Sequence, residues 1–274
     1  MNRMQKRGQL SIFIVIAIII IAVALIAVFL WPSLKGKFMS DEKASQIIAS
    51  QVEPLRDAVY DCIAQTSSNI FTKIGIQGGY YDWSTLSAIG YSGSKVVVVY
   101  KVNNQYVNQL LSLEGIQDEF NRALEKEGNA EIDACLNNFN SFKKVMNVEP
   151  QQRKIHAVIM PEEISIVVDW PIKISKQAAK STIVQEINQK DVRLIIPLGR
   201  LWTVANDIVN YEVNGNNFID QMEVYIRAHP YLLKYSRFSP VNYPTSQQTI
   251  YMLNSVPYRE NEAEFDFYFA INRG

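Results

Sequence analysis

Few side chains in this sequence are of the types that catalysis or ligand capture needs. A serine or cysteine hydrolase requires a base beside its nucleophile, usually histidine, and the chain has only His156 and His229. His156 stands between Ile155 and Ala157 in a predicted strand. His229 precedes Pro230 at a predicted helix end, where the helix dipole favours a cation. Both read as structural residues. The paired carboxylates Glu162-Glu163 and Glu260 with Glu262 could do acid–base work, but they follow a proline or lie in a polar loop and read as solvated surface. Gly75, Gly78 and Gly79 have no following lysine and come after a helix, so they read as a helix cap and not as a phosphate loop. Two aromatic groups, Tyr80-Tyr81-Asp82-Trp83 and Tyr231, Tyr235, Phe238 and Tyr243, could meet a sugar or a partner, or simply pack on the core. No catalytic set, cofactor site or metal site emerges.

The two cysteines, Cys62 and Cys135, lie 73 residues apart, each on a predicted helix. In an oxidising compartment they can form a disulfide, and closing a loop of that size stabilises a fold by about 4 kcal/mol on the chain-entropy model. The alternative is two buried thiols packing as small apolar residues. Neither histidine stands at zinc-ligand spacing from them.

The elements that must position these residues are read from periodicity. Ser40-Asp41-Glu42 starts a helix, Pro54 kinks it or begins a second one, and Leu55, Val59, Cys62, Thr66, Ile70 and Ile74 continue at helical spacing. Residues 80–102 read as β structure, with a hairpin turn at Ser92-Gly93. Asn103-Asn104 suits the start of a helical region with Leu110, Leu113, Phe120, Leu124, Ile132, Cys135, Leu136 and Phe139 on its apolar face, broken at Gly128-Asn129. From Lys154 three strands, 155–160, 164–174 and 190–196, form a meander, with Pro161, Pro171 and Pro197 at turns or edges. Two helices follow, 198–213 and 217–229, and a hairpin of 249–256 and 265–271 closes the chain. Phe265, Phe267 and Phe269 share one face of its last strand. The predicted class is α+β, with mostly antiparallel strands and segregated helices.

Ahead of all this stands Leu10–Leu30. Of its 21 residues, 16 are Leu, Ile, Val or Phe and four are Ala; Ser11 is the only polar one. As a helix it would reach roughly 30 Å, the thickness of a bilayer core. Trp31 and Pro32 suit an interface and a stop. The run is too long for a cleaved signal core. It predicts a cytoplasmic tail at 1–9, a transmembrane helix at 10–31, and an extracytoplasmic remainder, with a helical region and β-hairpin at 32–150 and an α+β region at 151–274. Beyond residue 30 there are 24 basic and 27 acidic residues, too balanced for a nucleic-acid surface.

The junction Lys6-Arg7-Gly8-Gln9-Leu10-Ser11 resembles the class III signal sequence of archaeal type IV pilin-like proteins. The resemblance implies cleavage after Gly8, a new N-terminus at Gln9, and an apolar helix retained at the centre of a filament. Phe13 stands where that family often carries an acid. Ile76-Gln77-Gly78-Gly79-Tyr80, between two cysteine-bearing helices, resembles membrane-anchored proteins of small-genome archaea, a likeness that names no activity. Three functional expectations follow. The first is a non-enzymatic surface module whose partners are the lipid bilayer and other envelope proteins or copies of itself. The second is a pilin-like filament subunit, and the third a membrane-tethered enzyme acting on envelope material.

Overall fold

The structure is a computed structural model. It describes residues 21, 40–82, 87–103, 105–229, 236–242, 245, 247–255 and 264–273. Leu10–Leu30, apart from Ile21, and the Gly8-Gln9 junction lie outside them, as do Trp83, Tyr231, Tyr235, Tyr243, Glu260 and Glu262. Among the described residues no helix is long and apolar enough to cross a membrane.

The expected α+β class holds: the strands are mostly antiparallel. The chain forms two compact units, interleaved in sequence. The smaller comprises Met1–Pro54, Ser141–Glu149 and Ile172–Ile187, and the larger holds the rest. Helix α1 spans Asp41–Gly75. It is one element with Pro54 inside it, so no second helix begins there. Proline there removes the bond to the carbonyl four residues back, and the chain passes from one unit to the other at that residue.

In the smaller unit, β4 (Asn147–Pro150), β7 (Ile172–Gln177) and β8 (Thr182–Ile187) form a sheet in the order β4-β7-β8. In the larger unit, β5 (Lys154–Ile159), β6 (Ile164–Asp169) and β9 (Val192–Leu194) form another, in that order. The meander expected of 155–160, 164–174 and 190–196 holds for β5, β6 and β9, which pair antiparallel in that order, but not for the full length of its middle strand. The run 164–174 divides at Trp170-Pro171, and its halves join different sheets. Pro171 has no N–H for a ladder. Its carbonyl accepts from Gln151 N at 2.9 Å, and Trp170 Nε1 donates to Gln151 O at 3.1 Å. Strands β4 and β8 went unread because their polar residues hide the alternation.

The largest sheet is built from β1 (Ala88–Tyr91), β2 (Ser94–Val102), β12 (Asp266–Asn272), β11 (Gln248–Ser255) and β10 (Ser236–Asn242), with β3 (Gln105–Val107) also paired to β2. The turn Ser92-Gly93 has φ of 49° and 80°, as a two-residue hairpin requires. Asn103 does not begin a helix. Its φ of 50° turns β2 into β3, and the next helix, α2 (Leu113–Ala123), starts where Ser112 Oγ accepts from Gly115 N. Leu110 consequently precedes the helix. The expected break at Gly128 is absent. The helix widens through a π turn at Leu124–Gly128 and runs on as α3 (Asn129–Cys135). Gly128 sits against Leu124 and Ile70 with no space for a β-carbon. After α3, Asn137, Asn138 and Phe139 all take positive φ, and the short helix α4 (Asn140–Lys143) follows. Phe139 leaves the predicted helical face and packs edge-on against Trp170, centroids 5.9 Å apart.

Helices α5 (Leu198–Val213) and α6 (Phe218–Ala228) fall where predicted. Phe267 and Phe269 are fully buried on the face of β12 that also carries Phe265, and register sets Phe267 opposite Leu253 and Phe269 opposite Tyr251. Each buried ring contributes roughly 1.5–3 kcal/mol. The other face holds Val96, Val98, Ile250 and Ala270. Val96–Val99 is buried on both faces, which accounts for its unbroken apolar run. The pairing of β12 with β2 is parallel and joins segments more than 160 residues apart, as Ala270 opposite Val98 shows.

The glycines after α1 do more than cap it. Gly79 N donates to Ile74 O at 2.9 Å. A β-carbon on Gly75 would strike the Asp266 carbonyl, and one on Gly78 would strike Val97 Cγ1 and approach Tyr268 O. Gly78 and Gly93 both have positive φ, but nothing surrounds Gly93. The pair separates backbone strain from lost space. Gly93→Ala should lower the unfolding free energy by about 1 kcal/mol. Gly78→Ala should lower it by roughly 2–4 kcal/mol, because overpacking adds to the same strain. Urea titrations of the two variants measure the difference; equal losses would refute the close approach.

Candidate functional site

The residues that gather polar chemistry lie in two places in the larger unit. The first surrounds the segment that leaves α1. Tyr80 is half-buried, and its hydroxyl donates to Gln109 O at 2.5 Å. The buried carboxylate of Glu119, on α2, accepts from Tyr81 N at 2.9 Å and Asp82 N at 3.3 Å, while Arg122 donates to its other oxygen at 2.5 Å. One acid thus fixes the backbone of 81–82. The Tyr81 ring is left at the surface, with Lys73 Nζ 4.9 Å and Lys126 Nζ 5.5 Å from its centroid. Lys73 also pairs with Glu127 at 2.9 Å. Lys126 and Glu127 lie on the π turn, which swings them toward Tyr81. Partial burial, then the Glu127 carboxylate, pushes the Tyr81 phenol above its ordinary range. Burial, then Glu119, does the same for Tyr80. The ring thus carries two cation–π contacts, and one of its two ammonium groups is paired with a carboxylate.

Cys62 and Cys135 join α1 to α3, with Cα atoms 5.8 Å apart in a disulfide. Cys62 is buried and Cys135 exposed. Nearby, Arg153 donates both guanidinium arms to Asp133 at 3.0 Å, a third bond to Asn129 O at 2.9 Å, and lies 4.5 Å over the Trp170 ring.

The second place is a buried charge network. Glu212, 1 % exposed, accepts from Tyr251 Oη at 2.7 Å, Phe218 N at 3.0 Å and Arg273 at 2.6 and 2.9 Å. Arg273 also donates to Thr249 Oγ1 at 2.7 Å. The network ties α5, the start of α6, β11 and the end of β12 together. Every Glu212 bond goes to this chain's own groups, so the arrangement is structural. Glu212 holds the Arg273 guanidinium above its ordinary value. Burial, then the bond to Glu212, pushes the Tyr251 phenol far up, and burial with Asp207, 2.7 Å from Tyr225 Oη, does the same to Tyr225.

The remaining sequence candidates are dispersed. His156 is exposed on β5, opposite Val167. His229 caps α6, with Nδ1 3.1 Å from Tyr225 O and its ring 4.3 Å from that tyrosine. Glu162 pairs with Arg200 at 3.2 Å, and Glu163 accepts through its backbone from Met160 N. Among the described residues no group of three His, Cys, Asp or Glu could hold a metal ion. Sequence reasoning missed Glu119 and Glu212. Both stand on apolar helical stripes, with Ile116, Phe120 and Ala123 and with Ala205, Ile208 and Val209, and an acid on such a stripe is a readable signal of a buried partner. No protein-family model, curated protein or solved structure matches the chain, so the function must be read from these residues.

Two outcomes follow. Arg273→Ala leaves the Glu212 carboxylate buried without its cation and should cost about 3–5 kcal/mol in urea unfolding; adding Glu212→Gln should recover part of that loss. No recovery would mean that the arginine acts through packing alone. In alkali, unfolded tyrosines ionise near pH 10 while Tyr251 and Tyr225 stay protonated in the fold. Their raised pKa values contribute stability below pH 10 that is lost above it, by up to about 1.4 kcal/mol per pH unit for each. Phenolate absorbance followed from pH 9 to 12 should show two tyrosines that ionise only on unfolding.

Proposed function

We propose that this chain is an extracytoplasmic module carried on a single N-terminal membrane helix, and that it serves as a structural or interaction component of a cell surface. The observation that carries the reading is the disulfide between Cys62 and Cys135. Such bonds persist in oxidising compartments and are rare in the cytosol. The 21-residue apolar run Leu10–Leu30 supplies the tether, and a short basic tail set directly against such a run is the layout of a signal anchor, which supports the outward placement. The Tyr81 ring, with Lys73 and Lys126 over it, is the face offered to a partner. Beyond residue 30 the 24 basic and 27 acidic residues are too balanced to favour a nucleic-acid surface.

A second reading, a pilin-like filament subunit, is favoured by one observation, Lys6-Arg7-Gly8-Gln9 set against the apolar run. The two differ at the N-terminus. Protein extracted from native membranes with thiols blocked should give a linked peptide pair containing Cys62 and Cys135, and should stay in the membrane fraction after alkaline carbonate. Recovery of both cysteines as blocked thiols would overturn the outward placement. A mature N-terminus at Met1 or Asn2 supports the simple tether, and one at Gln9 supports the filament subunit.

A further inference from the structure

Sheet edges are where a folded chain pairs with another chain, and most edges here are guarded. Along β5, Ala157 N donates to Asn121 Oδ1 at 3.1 Å and Ile159 N to Gln117 Oε1 at 3.4 Å, so α2 covers that edge with two side chains one turn apart. The edge strand β10 carries Pro240. Strands β1, β3 and β9 have four residues or fewer, and β4 ends in Pro150. Short strands, prolines and covering groups are the usual protections against edge pairing.

Among the described residues strand β8 has none of them. Its six residues, Thr-Ile-Val-Gln-Glu-Ile, span about 20 Å without proline, glycine or lysine, and it ends the order β4-β7-β8. Ala178 N donates to Ser181 O at 2.9 Å, which sets the phase of the ladder with β7. Residues 183, 185 and 187 therefore bond inward, and the N–H and C=O groups of Thr182, Val184 and Glu186 point out from the edge. All three residues are exposed, Val184 by 60 %.

The geometry points to a second copy of this chain as the occupant: two β8 strands pair antiparallel across a twofold axis. The outward groups allow a register in which Thr182 bonds opposite Val184 of the second copy and Ile183 faces its own counterpart. Glu186 then comes near the turn that precedes β8 in the second copy, where the exposed Lys180 stands. Within the sheet Glu186 already stands opposite Lys173. Lys173, Glu186 and Lys180 of the second copy then alternate in sign across the junction, and twofold symmetry makes the arrangement twice. A register centred on Val184 sets Glu186 against Thr182 and loses that match. Self-complementary charge selects the partner and the register together.

The test uses the full chain in detergent micelles with its disulfide intact, and sedimentation gives the dimer dissociation constant. Val184→Pro removes an N–H that serves no bond within the sheet. It should raise that constant at least about tenfold and leave the urea midpoint unchanged. Glu186→Lys should weaken the dimer several-fold, and Lys180→Glu with Glu186→Lys should restore it. Under mild oxidation Ile183→Cys should form a covalent dimer, while Val158→Cys, on the covered β5, should not. A wild-type chain that stays monomeric, a dimer indifferent to Val184→Pro and to charge reversal, or equal cross-linking by both cysteine variants would overturn the proposal.

Discussion

The last turn of α1 lies so close to the six-stranded sheet that no β-carbon fits between them. Gly75 meets the Asp266 carbonyl, and Gly78 meets Val97 and the Tyr268 carbonyl, so β12 and β2 are both seated by one helix end. Those two strands come from opposite ends of the larger unit and pair in parallel. Their Phe267, Phe269 and Val96–Val99 form the core on either side. Further along, Gly79 seats Ile116 of α2, and Gly128 lets Ile70 close on the π turn. The disulfide between Cys62 and Cys135 ties α1 covalently to α3, which continues from that turn. Close packing of backbone against backbone thus sets the geometry to which the surface around Tyr81 is attached.

Buried charge is handled the same way in two places. Glu119 and Glu212 each stand on an apolar helical face, and each is held by several donors from segments distant in sequence. A carboxylate without its donors would be strongly destabilising there, so each acid demands one arrangement of its neighbours. Glu119 demands the backbone course of 81–82, which leaves the Tyr81 ring outside between Lys73 and Lys126. Glu212 demands the seating of Arg273, and with it the end of β12. Edge protection differs between the units: the larger one covers β5 with Asn121 and Gln117, whereas in the smaller one β8 ends its sheet among the described residues.

Local signals in the sequence placed most elements. Ser92-Gly93 announced its hairpin, Asn214-Gly215-Asn216 separated α5 from α6, and alternation marked the aromatic face of β12. In each case the signal lies within a few residues and acts through backbone preference or one-sided burial. Signals failed where a choice depended on distant chain. Asn103 suits a helix start as well as a turn, and only pairing with β3 decides between them. Nothing near Pro171 says that β6 and β7 join different sheets.

The candidate site divides along the same line. The sequence by itself determined the apolar run, the near-neutral charge, the two cysteines on helices and the aromatic segment at Tyr80-Tyr81, because composition and short-range spacing carry them. Only the tertiary structure decided that Cys62 lies 5.8 Å from Cys135, that Lys73 and Lys126 meet over one ring, and that β8 is left at an edge. These are relations between segments tens of residues apart. They are set by which surfaces bury one another, and no local pattern records that.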